Sequence, residues 1–254
     1  MSNFINAILA FVELETRRLK YNRTELYTRA VQPILWLVVF GPVMARVRAL
    51  PTGGIPYIAF ITPGVIMQSV TFVSIFYGLT IVWERESGIL KKLLTMPVSR
   101  MSIVLGRSSA SIIRALFQFI IITPIAIALG VRIEPNPIYL LLSLFIVMIT
   151  AIGFSAFSIW IASHMKTRER FMGIGQAITM PLFFASNAIY PISIMPVPIK
   201  IFVLVNPLTY AVDALRKTMI IGSLNGLVID LLALTIFTVL FIILASIEFR
   251  RIIE

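Results

Sequence analysis

Long apolar runs separated by short, mostly basic segments set the rhythm of this chain. Six runs, at roughly 31–48, 57–82, 102–129, 137–163, 171–189 and 227–247, come close to or exceed what a membrane-crossing helix needs. That need is about 20 mostly apolar residues for a hydrocarbon core about 30 Å thick. The second, third and fourth runs are long enough to tilt or to project beyond the bilayer. The first 29 residues are too polar to cross. There Phe11, Leu14, Leu19, Leu26 and Tyr27 alternate with charge at roughly helical spacing, which predicts an amphipathic helix lying in the membrane interface. The expected organisation is therefore a segment 1–29 on the membrane surface and one membrane domain, 30–254.

Charge orients the runs. Of the 22 Lys and Arg residues, 15 fall on one side: in the N-terminal segment, in the link between runs two and three, between runs four and five, and after run six. The positive-inside rule places that side in the cytoplasm. Both termini are then cytoplasmic, which an even number of spans satisfies. Composition agrees, with 59% apolar and 13% charged residues; soluble domains carry about 25% charged residues. The net charge of +11 belongs beside anionic headgroups, because its arginines and lysines sit at the ends of apolar runs, and no nucleic-acid partner is expected. The chain has no cysteine, which removes disulfides and thiolate chemistry. No cleavable signal is expected, since the apolar stretch Phe4–Val12 is short, contains Asn6 and leads into Glu13 and Glu15.

The link after run two carries its own pattern. Ile89, Leu90, Leu93 and Leu94 share a helical face, Glu84 and Glu86 precede Lys91 and Lys92, and Pro97 ends any helix at or before Met96. A short amphipathic helix over about 84–97, held between two long spans, is predicted. Between runs five and six, residues 190–225 are apolar but interrupted by Pro191, Pro196, Pro198 and Pro207. Proline breaks helices, and irregular backbone at membrane depth persists only where protein or a water-filled cavity surrounds it. Two short helices dipping into the outer leaflet fit both constraints. Asp213 and Arg216 are three apart there and can pair across one turn.

Polar residues inside the runs are few. Arg107, Ser111, Arg114 and Gln118 are spaced four, three and four, so they form one stripe on the third span. A central Arg costs roughly 2.5–3.5 kcal/mol on insertion scales, so it must face protein, water or a headgroup. This stripe, with Gln68 on span two and Asn187 on span five, forms the set expected to line a translocation route or a subunit interface. His164 reads as an interfacial residue at the end of span four. Asp230, near the outer end of span six, is poorly placed for proton coupling. No phosphate-cradling G-x-x-x-x-G-K-[ST] loop and no catalytic or metal constellation is present in the sequence.

Two segments carry a resemblance. Glu84-Arg85-Glu86-Ser87-Gly88, continuing through Leu90, Leu93 and Pro97 to Ser99-Arg100, is similar to the pattern E-R-E-x-G-x-L-x-x-L-x-x-x-P-x-S-R of ABC-2 type exporter permeases. Asn206-Pro207-Leu208-Thr209-Tyr210, followed by Asp213 and Arg216, resembles their N-P-L-T-Y-x-x-D-x-x-R before the last span, and Pro63-Gly64 fits span two. The likeness is to drug-resistance permeases of the daunorubicin-exporter kind. It implies an all-α, six-span membrane subunit with an interfacial N-terminal helix, a coupling helix and a re-entrant pair. It also implies a second permease copy and a separate ATP-binding-cassette ATPase that alone binds ATP and magnesium. This chain would bind no cofactor or metal and hold no catalytic residue. Carried over, Glu84, Arg85, Glu86, Gly88, Leu90 and Leu93 become candidate contacts to the ATPase, and Asn206, Pro207, Tyr210, Asp213 and Arg216 candidates for an outer gate. The expected cargo is hydrophobic or amphipathic. A secondary transporter or channel working without an ATPase is the competing reading.

Overall fold

A computed structural model of the chain describes residues 2–21, 23–47, 51–90 and 99–249. These residues are helical throughout their ordered elements, with no strand among them. Helix α1 (Ser2–Tyr21) precedes α2 (Arg23–Leu35), which runs on through a π-helical stretch (Trp36–Phe40) into α3 (Gly41–Val47). Then come α4 (Tyr57–Glu86), α5 (Arg100–Ala128), α6 (Pro137–His164) and α7 (Arg168–Phe184). Two short helices, α8 (Val197–Val205) and α9 (Pro207–Arg216), lead through a second π-helical stretch (Lys217–Ile221) to α10 (Leu227–Glu248).

Helix α4 sits at the centre. The chain itself buries 83% of α4's most apolar stretch, but only 22% of the equivalent stretch in the first span and in α10. Around α4 pack α5, α6, α7 and α9, while α10 lies against α6. The outward side of α10 exposes Leu232, Ile236, Val239, Leu240 and Ile243, a surface suited to hydrocarbon. On the inward side Gly64 lets α4 touch the loop after α7: a Cβ built there would stand 2.4 Å from the Ala188 carbonyl oxygen.

Among the described residues, five helices are long and apolar enough to cross a membrane, and the bent pair before the last of them makes up to six. The run expected as span five is shorter than predicted. Helix α7 has 17 residues, about 25 Å at 1.5 Å per residue. It stops at Phe184 because its last carbonyls find a side chain instead of another turn: Asn206 Nδ2 donates to the Leu182 and Ala185 carbonyls, both at 2.7 Å. The first span also differs. Its helix starts at Arg23 and carries Pro33 within it, so the polar N-terminal segment divides into α1 and the opening turns of α2. The expected pair of short helices before the last span is present, with α8 and the α9 unit bent by 81°.

The link departs from its predicted form as well. Glu84, Arg85 and Glu86 are the last turn of α4. The chain turns at Ser87–Gly88, with Gly88 at φ +73°, a left-handed conformation that glycine adopts without steric cost. Helix resumes at Ile89 and Leu90. Residues 91–98, with Leu93, Leu94 and Pro97, lie outside the described residues.

Candidate functional site

The link leaves α4 at Glu86 and rejoins the bundle at Arg100, the first residue of α5. Ser99 caps α5 by accepting from the Ser102 amide at 3.2 Å, which satisfies one of the orphan donors of a helix start. Across this stem a chain of buried and half-buried charges joins three helices. The Glu84 carboxylate on α4 accepts from Arg107 Nη2 on α5 at 2.5 Å, with both side chains no more than 2% exposed. Its other oxygen accepts from Arg18 on α1 at 3.3 Å. Arg18 also donates to Glu15 at 3.2 Å, and Glu15 in turn accepts from Arg114 at 3.0 Å. Rings complete the enclosure: Arg107 lies 5.4 Å from the centre of Phe11, and Arg114 4.9 Å from that of Tyr77.

Local sequence explains why α1 can reach this site. Phe11, Glu15, Arg18 and Leu19 fall on one side of a helix, and Glu15 and Leu19 are buried. Opposite stands Gly106 of α5, where a Cβ would meet Phe11 at 2.9 Å and the Ile8 backbone at 3.2 Å. Glu15, Glu84, Arg107 and Arg114 are desolvated while Arg18 is half-buried, and removing one buried member leaves its partner buried and short of a counter-charge, which costs about 3–5 kcal/mol. The array therefore behaves as a brace. The end of α4, the start of α5 and helix α1 are held to one another at the foot of the link.

These placements redistribute the residues expected to contact a partner. Glu84 turns inward to Arg107 and Arg18, and Leu90 is buried among Ile81, Val82, Ile103 and Phe171, so neither presents a surface. Burial follows from their position at the foot of the bundle, where an unpaired carboxylate or an exposed leucine would be costly. Arg85 donates to the Met165 carbonyl at 3.2 Å and Glu86 pairs with Arg168 at 2.5 Å, joining the link's foot to the α6–α7 corner. Gly88 forms the turn. Exposed around it are Trp83, Glu86, Ser87 and Ile89.

The stripe on α5 is resolved residue by residue. Arg107 and Arg114 belong to the brace. Ser111 donates to the Ala151 carbonyl on α6 at 3.1 Å, and Gln118 accepts from Ser69 on α4 at 2.9 Å. The stripe thus faces three neighbouring helices of the same chain. Gln68 is buried on α4.

A second polar cluster closes the opposite end. Arg216 projects back from α9 under the start of α4. It donates through Nε and Nη2 to the Phe60 carbonyl at 3.3 Å and through Nη2 to the Asn187 carbonyl at 2.7 Å, and its guanidinium stacks 4.0 Å from the Phe60 ring centre. Asp213 lies 3.8 Å from Arg216 and accepts from the Asn187 amide at 3.4 Å. Lys217 bridges Asp213 at 2.8 Å and Asp230 of α10 at 2.7 Å. Asn206 caps α9 through the Leu208 amide, Pro207 opens that helix, and Tyr210 donates to the Leu204 carbonyl at 2.6 Å. Four of the five residues singled out here therefore tie elements together through their side chains, and Pro207 supplies the helix start. His164 ends α6 and is exposed.

Comparison with known proteins fits this architecture. The family description "ABC-2 type transporter" matches residues 6–220. The chain belongs to the ABC-2 type transporter family. Relatives of this ABC-2 protein include a "putative transport permease ycf38" of Cyanophora paradoxa, 28% identical over 84% of this chain and 74% of that protein. A "probable doxorubicin resistance ABC transporter permease protein DrrC" of Mycobacterium tuberculosis is 27% identical, covering 81% and 74%. A "daunorubicin resistance ABC transporter permease protein DrrB1" of Streptomyces coeruleorubidus is 22% identical, covering 85% and 75%. Membership makes the chain a transport permease of a membrane.

In this ABC-2 permease the residue that sequence reasoning passed over is Glu15. It stands in a segment read for its surface amphipathicity, its basic charge and its lack of a signal, 99 positions from its partner Arg114. The available signal was the Phe11–Glu15–Arg18–Leu19 face, which places one acid and one base among buried apolar residues.

Proposed function

We propose that this permease is the membrane subunit of an ATP-binding-cassette exporter. Two copies form the translocation pathway in the plasma membrane, with both termini in the cytoplasm. A separate ATPase subunit binds ATP and magnesium and supplies the work; this chain performs no catalysis itself. The carrying observation is the brace at the foot of the link. A push on the link is delivered to α4, α5 and α1 together, because Glu84, Arg107, Arg18, Glu15 and Arg114 join them in one run of ion pairs, buried except at the half-buried Arg18. The surface offered to the ATPase comprises Glu86, Ser87 and Ile89, with the outward side of α1.

Co-expression with a cognate ATP-binding subunit tests this reading. A complex that hydrolyses ATP and loses coupling when Glu86 and Ile89 are replaced is the expected result. Purified chain alone moving a solute down an ion gradient would support the secondary transporter or channel instead and overturn the proposal.

A further inference from the structure

Two cavities open beside the brace, of 510 Å³ and 290 Å³, with Thr80 and Trp83 of α4 common to both walls. Their charged lining consists of Arg17, Arg18, Arg29, Arg114 and Arg168; no carboxylate lines either cavity among the described residues. The acids of this region stand behind or beside the lining. Glu15 and Glu84 are buried beneath it, and Glu13 and Glu86 hold Arg17 and Arg168 at the rim. An arginine that holds one carboxylate keeps further N–H donors, since the guanidinium has five. The remaining lining is aromatic and aliphatic: Phe76, over which Arg29 lies at 6.0 Å, with Tyr77, Leu79 and Leu19.

The level of this cleft is fixed by α4. Thr80 and Trp83 lie within the last two turns before Glu86, the end from which the link leaves. The proposed orientation, with the basic ends in the cytoplasm, puts this end of α4 at headgroup depth in the inner leaflet. Three residues after Arg29, Gln32 begins a groove of 510 Å³ that continues along the same helix past Leu35, Trp36, Val39, Phe40 and Val43. Gln32 to Val43 covers about 16 Å at 1.5 Å per residue. A cationic, aromatic cleft and an open apolar groove thus lie on successive turns of one helix, Arg29 in the first and Gln32 in the second.

We propose that the cleft and groove together bind one anionic amphiphile from the inner leaflet. Its phosphate-type headgroup lies among Arg29, Arg168 and Arg18, and its hydrocarbon chain lies along α2 and the Trp36–Phe40 stretch. Arginine suits this role because its planar fork matches phosphate oxygens and stacks on rings. An amphiphile with a cationic head meets five guanidinium groups at the same mouth and is disfavoured. As a binding site this stands by itself; that the bound amphiphile is also cargo rests on the exporter reading.

The test uses the full-length permease in phosphatidylcholine vesicles containing either brominated phosphatidylglycerol or brominated phosphatidylcholine. Trp160→Phe leaves Trp36 and Trp83, one in the groove and one in the cleft, as reporters of bromine quenching. Preferential quenching by the anionic lipid is expected. Arg29→Gln with Arg168→Gln should lower that preference about tenfold, whereas Lys200→Gln, a cation removed at the far end, should leave it unchanged. Size exclusion and circular dichroism of the double variant establish that it folds. Equal quenching by both lipids, an unchanged preference in the folded double variant, or an equal loss in Lys200→Gln overturns the proposal. So does abolition of quenching by inorganic phosphate alone at millimolar concentration, which would mark a site for the headgroup anion without a tail. Because no ATPase subunit is present, failure to assemble an exporter complex and failure to bind the lipid are separate results.

Discussion

Glu84 and Arg107 meet at 2.5 Å across the foot of the link, 23 residues apart in the chain and both sealed from solvent. One belongs to the last turn of the helix that enters the link and the other to the second turn of the helix that leaves it. Their pairing ties the two helices that bound the link to one another at its foot.

Breaking this pair from one side should be worse than removing it. Glu84→Ala or Arg107→Ala leaves a buried charge and should destabilise by about 3–5 kcal/mol, whereas Glu84→Leu with Arg107→Met should recover much of that loss. Thermal unfolding in detergent across the double-mutant cycle measures the coupling. In an assembled transporter the apolar pair should still fold but transmit less, seen as ATP hydrolysis without matching transport.

Helix α1 should detach when its buried acid is lost. Glu15→Gln removes the carboxylate that holds Arg114 and Arg18. Hydrogen exchange within residues 2–21 should rise at least tenfold, while α6 and α10 remain protected. Arg114→Leu should do the same and lower turnover. Unchanged exchange and unchanged turnover in both variants would remove Arg114 and Glu15 from the mechanism.

Much of this fold was legible in the chain beforehand. Apolar runs of bilayer length marked the spans, and prolines at 191, 196, 198 and 207 marked the broken pair. The brace was less legible. Arg107 and Arg114 announced themselves by their cost in a membrane, but periodicity on one helix says nothing about which acid, on which other helix, will meet them.

At the opposite end, Arg216→Lys keeps the charge but cannot reproduce the fork that reaches the Phe60 and Asn187 carbonyls. A loss of about 2 kcal/mol is expected, from about one to two weakened charged hydrogen bonds at 1.5–3 kcal/mol each. Asn206→Ala removes two bonds to the end of α7 and the cap of α9 and should cost about as much. Differential unfolding in detergent, with limited proteolysis at the 185–206 connection, reads both.

Gly64→Ala tests how closely α4 meets the loop after α7. The added carbon would fall 2.4 Å from a backbone oxygen, which cannot rotate away. A destabilisation of about 1–3 kcal/mol from overpacking is expected. Serine should be no better, and a variant as stable as the parent would show that the two backbones are farther apart.

By itself the sequence determined that this chain lives in a bilayer, that its basic residues gather at one set of span ends, and where the proline-rich pair before the last span must break. Those outcomes follow from local quantities: the length of an apolar run, the cost of a missing amide proton, the sign of a flanking charge. Tertiary structure alone decided that Glu84 turns inward, that Leu90 belongs to the core, that α7 ends at Phe184, and that Glu15 closes on Arg114. Each of these depends on a partner tens of residues distant. A buried charge or an orphaned carbonyl must be satisfied by whichever group packing brings within about 3 Å.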